Sequence, residues 1–413
     1  MKKPSFSEAA RVFIRIGLLS FGGPAAQIAV MHRELVDENS WLSEAQFLSA
    51  LSFCMLLPGP EAMQLTTYAG WRLHGVAGGL FAGLAFVLPG ALVMMALATG
   101  YALWGTLPLV STLFLGIKAA VVIVVIQALM KLAAKALKTK ADRVLALLAF
   151  LGLFALALPF PLVIAAAAAW GAFTARGTAG ESHTVRATPL RTITIWGGLW
   201  AAPLLAAWAA GADRLLEIGL FFSRLAVITF GGAYAVLAWM AQDVVTNRGW
   251  LTPQAMVDGL GLAETTPGPL ILVTEFVGFQ AATGGGISAG VLAALMTLWV
   301  TFTPCFLWIF LGAPYIEMLS SKPRLHGAMR AISAAVTGVI LNLSVWFALN
   351  VMFGELSLWS PGPVKLLIPV WSSVSLIALS LTALAALLLL RLRLGLIPVL
   401  FISAGSGWLL SLV

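Results

Sequence analysis

The sequence has little charge, almost no cysteine and no histidine cluster. Only 10% of its 413 residues are charged, and only two are cysteine. Cys54 and Cys305 both sit in apolar runs, so they give no disulfide framework and read as small buried hydrophobes. His32, His74, His183 and His326 are scattered without the spacing of metal ligands, so neither a metal nor a cofactor is expected. No phosphate-binding P-loop is present to use ATP. Paired catalytic carboxylates and His/Cys constellations are also missing, so an enzyme is not expected; an intramembrane lipid-modifying enzyme using Glu61 or Glu264 is the competing class. Lys2 and Lys3 open the chain, but Arg11 and Arg15 interrupt the apolar stretch and no small-residue cleavage site follows. The first span is therefore expected to stay in place.

Apolar residues fill the sequence instead. They make up 61% of it, mean hydropathy is +0.99, and no soluble domain of this length has such a composition. The net charge is +8 and the pI about 9.8, yet the basic residues fall in short loops between apolar runs. That is the positive-inside pattern, so the partner is the lipid headgroup and not nucleic acid.

The runs are organised around Leu56-Leu57-Pro58-Gly59-Pro60-Glu61 and its recurrence, Thr265-Thr266-Pro267-Gly268-Pro269-Leu270, 209 positions later. Two prolines around a glycine end one helix and start another. Inside a bilayer such a break is tolerated only where it is buried in protein or lines a wet cavity, which makes it a candidate binding site. At the same offset Phe13, Arg15, Phe21-Gly22-Gly23 and Trp41-Leu42 match Phe222, Arg224, Phe230-Gly231-Gly232 and Trp250-Leu251. Past an insertion near Thr283-Gly284-Gly285-Gly286 the offset becomes 215, pairing Pro89 with Pro304 and Ala119-Ala120-Val121 with Ala334-Ala335-Val336. The unit is duplicated.

Charge gives the relative orientation of the copies. The loop with Lys131, Lys135, Lys138, Lys140 and Arg143 is expected inside, whereas its counterpart at 346–361 has no basic residue and contains Glu355. The neutral link 105–112 corresponds to 320–327, which holds Lys322 and Arg324. Opposite bias at equivalent loops predicts inverted repeats with a binding site near the membrane midplane. The fold expected is an all-α polytopic membrane protein of two inverted-topology repeats with broken transmembrane helices and about 12 to 13 crossings. Its divisions are 1–175, the first repeat; 176–213, a cytoplasmic hinge plus a linking transmembrane helix; and 214–413, the second repeat. The amino terminus is expected inside and the carboxyl terminus outside.

The candidate anion site is Ser20, Phe21, Gly22, Gly23, Pro58, Gly59 and Pro60 with Thr229, Phe230, Gly231, Gly232, Pro267, Gly268 and Pro269. Glycines let backbone amides approach an anion, and helix starts add positive partial charge; tight helix packing is the plainer reading. The hydroxyls of Ser20 and Thr229 are further expected donors. Arg15 and Arg224 suit an oxyanion by forked donation or snorkel to headgroups. Glu61, Glu264 and Glu275 are candidates for proton coupling, with helix capping the alternative for Glu61. Lys118, Gln127 and Asn342 are lesser pore-lining candidates, and Trp41 and Trp250 read as interfacial anchors.

Phe13 to Pro24 (FIRIGLLSFGGP), Trp41-Leu42, Leu56 to Trp71 (LLPGPEAMQLTTYAGW) and Phe86 to Pro89 resemble the first half of the chromate transporter family. Phe230 to Leu237 (FGGAYAVL), Gly249-Trp250-Leu251-Thr252 and Ala263 to Pro269 (AETTPGP) resemble its second half. The resemblance covers nearly the whole chain in the long, two-domain form. It implies a multi-pass protein of the bacterial inner membrane that lowers cytoplasmic chromate by exporting it and so confers chromate resistance. The sequence departs from the family's pattern at Gln27, where many relatives have His, and at Glu264, where many have Gln. The partners expected are chromate, with sulfate as a similar tetrahedral dianion, membrane lipids, and a second copy of the chain in a homodimer. Sulfate uptake or exchange and a passive anion channel are the other readings.

Overall fold

The computed structural model of this protein describes residues 4–21, 23–105, 107–175, 189–230, 233–316, 322–362, 364–410 and 412. Most of the hinge expected at 176–191 lies outside these residues, as do Gly22, Gly231 and Gly232.

Among the described residues most of the apolar runs are helical. α1 (Phe6–Leu19) starts in a capping box between Ser5 and Glu8, buries Val12, Phe13 and Ile16, and leaves Arg11 and Arg15 on its exposed face. α2 (Gly23–His32) widens into a π turn over Arg33–Glu38. α3 (Glu44–Cys54) is capped by Ser43 and Gln46, and α4 (Glu61–Trp104) begins after the first Pro-Gly-Pro. α4 is itself broken at His74 and Gly75, which separates the runs expected at 46–73 and 76–104. α5 (Pro108–Ala136), α6 (Lys140–Phe154) and α7 (Phe160–Thr174) close the first copy, and α8 (Pro189–Ala209) links it to the second.

The second copy repeats the pattern in α9 (Asp213–Ile228), α10 (Ala233–Gln242), a π turn over Asp243–Asn247, and α11 (Pro253–Thr265). A 3-10 turn, Leu270–Leu272, then leads into α12 (Val273–Ala282), followed by α13 (Ile287–Gly312) and α14 (Pro323–Met352). The equivalence extends to single bonds. Trp41 N–H donates to Leu35 O at 2.9 Å, and Trp250 N–H to Val244 O at 2.8 Å, each pair 209 positions from the other. α15 (Leu376–Ala386) and α16 (Leu396–Leu410) end the chain.

One expected span is corrected. The apolar run at 364–390 does not start as a helix, because Leu366–Pro369 forms β2 of an antiparallel hairpin with β1 (Leu356–Trp359). Pro369 ends β2, a 3-10 turn follows at Trp371–Ser373, and the chain becomes α-helical only after Ser375 caps α15. Among the described residues five helices are long and apolar enough to cross a membrane, shorter apolar helices cover 160–174, 270–285, 376–391 and 396–410, and the runs expected at 46–73 and 254–282 are divided at the Pro-Gly-Pro breaks. Large apolar side chains face outward, Phe173 at 88% exposure and Leu92 at 72%, which suits contact with lipid.

The structure divides into two compact units, one of residues 1–99, 177–236 and 266–323, the other of 100–176, 237–265 and 324–413. The divisions expected at 1–175, 176–213 and 214–413 are therefore divisions of the sequence into copies; each compact unit takes segments of both. In the second unit the segments expected inside meet: Arg330 at the start of α14 donates to Asp142 Oδ2 at 2.8 Å, at the start of α6. Gly171 at the end of α7 packs against Gly327, with no room for a side chain at either. Lys365 N–H donates to Ala155 O at 2.8 Å, which joins the neutral hairpin to the opposite end of α6.

Candidate functional site

In the first unit each Pro-Gly-Pro break reaches the residue that ends the first helix of the other copy, Thr229 after α9 or Ser20 after α1. Gly59 N–H donates to Thr229 O and Gly268 N–H to Ser20 O, both at 2.8 Å. The two bonds are equivalent under the 209-residue offset. Gly59 (φ 120°) and Gly268 (φ 81°) hold conformations that L side chains rarely adopt, and this aims their amides across the break.

The surroundings are reciprocal too. Cys305 Sγ lies 2.9 Å from where a Cβ on Gly59 would stand, while a Cβ on Gly90, its equivalent at offset 215, would overlap the Pro267 carbonyl oxygen. Gln64 Nε2 donates to Pro58 O at 2.7 Å, and Gln27 Nε2 to Gly268 O at 2.6 Å. Freed carbonyls at both breaks thus find donors inside the protein, as a bilayer setting demands. Gly59, Pro60, Pro267, Gly268 and Pro269 are buried, and Pro58, Phe21 and Phe230 are half-buried.

Both hydroxyls expected as donors are committed. Ser20 Oγ donates to Ile16 O at 2.6 Å and Thr229 Oγ1 to Leu225 O at 2.5 Å, so their protons serve the helices they end. The amide donors with no helical partner are those of the first turn of α4, ahead of Gln64, whose N–H returns to Pro60 O at 3.1 Å.

Arg15 and Arg224 stand on exposed faces. Arg15 reaches Glu34 at 3.3 Å and Glu38 at 3.8 Å, so carboxylates neutralise it in place. Of the three expected carboxyls, Glu61 and Glu264 engage other groups. Glu275 is 0% exposed, and neither oxygen has a hydrogen-bond partner among the described residues. Trp250 is buried with Arg248 over its ring at 4.8 Å, and the Trp41 ring lies tilted against Phe13 with centroids 6.3 Å apart. Gln127 lines a cleft of about 410 Å³ with Lys131 and Arg393.

Gln27, Gln64, Gly90 and Cys305 were not anticipated as parts of the site. The available signal was an amide side chain in an apolar run, which always needs a partner. Its partner lies 241 positions away for Gln27, beyond any local pattern.

Broken helices contributed by two copies of one unit, closed on each other inside an apolar body, define the class of multi-pass membrane transport proteins. The family described as Chromate transporter matches residues 7–172 and 216–408, and the chain belongs to that family. It is a transporter and not an enzyme. A probable chromate transport protein of Synechococcus elongatus is 31% identical over 360 residues, 83% of this chain and 84% of its own. Chromate transport proteins of Cupriavidus metallidurans and Pseudomonas aeruginosa are 30% and 33% identical, each over 81% of this chain and over 81% and 79% of their own. No solved structure matches the chain.

Proposed function

We propose that this protein carries chromate out of the cytoplasm across the bacterial inner membrane, by alternating access around the cradle where each Pro-Gly-Pro break meets Ser20 or Thr229, the residue that ends the first helix of the opposite copy. The observation that carries this reading is the reciprocal pair of bonds from Gly59 to Thr229 and from Gly268 to Ser20. A dianion held by main-chain amides at helix starts needs no full cation buried beside it. Because the Gly59 and Gly268 amides are committed, the donors assigned to the anion are those of the following first turns, at Ala62–Met63 and Leu270–Ile271. Arg15, held by two glutamates, is left outside the cradle, and Arg224 with it. The bodies assigned to the alternation are the compact units. Glu275, buried without a partner, is assigned the coupling proton.

Direction follows from charge. Two negative charges leaving a negative interior gain about 4.6 kcal/mol per 100 mV, twice the single-charge value of roughly 2.3, so efflux needs no ATP. Cells carrying the gene are expected to accumulate less chromate than cells carrying the empty vector; equal accumulation removes the export claim. Sulfate has the same shape and charge, and its uptake or exchange is the second reading. Vesicles with anion gradient and potential set independently separate the two.

A further inference from the structure

One cluster of buried charge has no part in this mechanism. Lys118 of α5 places Nζ 2.9 Å from Asp258 Oδ1 on α11, and the Tyr101 hydroxyl at the end of α4 donates to Asp258 Oδ2 at 2.9 Å. All three belong to one compact unit, and the Lys118 and Asp258 side chains are 16% and 7% exposed. α5 begins at Pro108, so at 1.5 Å per residue Lys118 stands about 15 Å along it, half of a hydrocarbon core of roughly 30 Å. α15 and α16, which pack on α5, carry no charged residue. Among the described residues neither side chain makes another ion pair.

Three observations argue against a purely structural role. The first is the repeat itself: the equivalents of Asp258 and Lys118 are Ser49 and Ser333, so the other copy of this fold is built without the charges. The second is the contact, which brings Nζ to Oδ1 at ion-pair distance but leaves Oδ1 without an aligned hydrogen bond. Asp258 is the one ion-pair partner of Lys118 among the described residues, and an ammonium has three donors to offer. The third is connectivity. α4 passes from one compact unit to the other between Thr99 and Gly100, next to Tyr101, and α11 returns the chain between Thr265 and Thr266, directly ahead of Pro267.

We propose that Lys118 is a cation of the anion path, held by Asp258 between passages, and that the transported dianion displaces the Asp258 carboxylate from it. Tyr101 keeps hold of the carboxylate through Oδ2 while Lys118 changes partner. An intramembrane lysine present in one copy only then has a use, because a dianion and a carboxylate compete for the same donors. This inference rests on the oxyanion-transport reading above.

The test is chromate counterflow in vesicles reconstituted with the full chain, read as half-saturating concentration and turnover, alongside thermal denaturation of each variant. Lys118→Gln is expected to raise the half-saturating concentration about tenfold, the loss of one charge-assisted contact. Asp258→Asn is expected to lower it and to slow turnover, since the competitor that evicts the anion is gone. The double variant Lys118→Gln/Asp258→Asn, neutral at both places, is expected to denature like the unaltered protein yet stay about tenfold weak. A double variant with unaltered half-saturation overturns the proposal, and so do single variants that both weaken binding and recover together. Should Asp258→Asn fail to fold, the double variant decides. An unaltered protein that moves sulfate and not chromate corrects the cargo, and the same differences are then read with sulfate. One that moves neither overturns this inference together with the transport reading.

Discussion

Gly59 and Gly268 carry the two cross-copy bonds at φ 120° and 81°, and alanine at either position would have to hold the same strained backbone. Gly268→Ala is expected to cost about 1–3 kcal/mol, the usual range for such strain, seen as a lower denaturation temperature in detergent. Both substitutions also crowd a neighbour, the Phe86 carbonyl oxygen at 3.0 Å for Gly268 and Cys305 Sγ and Gln64 Nε2 at 2.9 Å for Gly59, and adding Cys305→Ala to Gly59→Ala should recover only the part due to the sulfur. Glu275→Gln keeps the shape of a buried side chain that has no hydrogen-bond partner but cannot carry a proton. The variant is expected to fold normally and to transport without dependence on an imposed pH gradient; unchanged dependence removes Glu275 from coupling. At this scale the glycines and prolines were legible because their backbone demands are intrinsic. The roles of Gln27 and of Arg15 were not, since each is set by a partner, Gly268 O and Glu34, that only the fold brings near.

Between elements, closeness does the holding. α4 crosses the second break at Gly90, where no side chain fits against the Pro267 carbonyl, so Gly90→Ala must push helix and turn apart. A cost of about 1–3 kcal/mol is expected from overpacking, with transport lost ahead of stability. The π turn after α2 gives a pH-dependent contact. His32 lies 2.7 Å from Glu44 and 3.2 Å from Asp37, and chiefly the Glu44 bond, against the effect of burial, raises its pKa above the ordinary 6.5. Its contribution is complete below that ordinary value and disappears as pH rises through the raised one. Denaturation temperature should therefore fall as pH rises from the ordinary 6.5 through the raised value in the unaltered protein and less so in His32→Gln. Helix breaks were legible in the sequence, but the hairpin was not. A third Pro-Gly-Pro, at 361–363, has its first two residues in the connection between β1 and β2, so the triplet alone does not distinguish a membrane break from a surface turn.

At the scale of the molecule, loop charge and structure agree on which ends belong together. Asp142 joins α6 to Arg330 of α14; burial pushes its carboxyl up, but hydrogen bonds from Arg330 and Thr139 outweigh this and hold it below the ordinary 3.8. That contribution is present above the ordinary value and lost as pH falls through the lowered one. Arg330→Gln is expected to cost about 1 kcal/mol, kept small because Arg330 is 55% exposed, and to flatten the acid limb of the stability curve. Single cysteines at Lys138 and Ser360 should differ when intact cells meet an impermeant thiol reagent, the first protected and the second labelled. Equal labelling would refute the inverted arrangement. The duplication and its opposite charge bias were legible because they repeat at fixed offsets. The compact units were not, since each interleaves both copies and nothing in either copy marks where the chain passes from one to the other.

The cross-copy bonds have a consequence for a single copy. A polypeptide holding one copy cannot satisfy its own interruption, because the acceptor for Gly59 belongs to the other copy. Such a one-copy chain would be completed by a sister molecule inserted upside down beside it, which the duplicated chain supplies within itself.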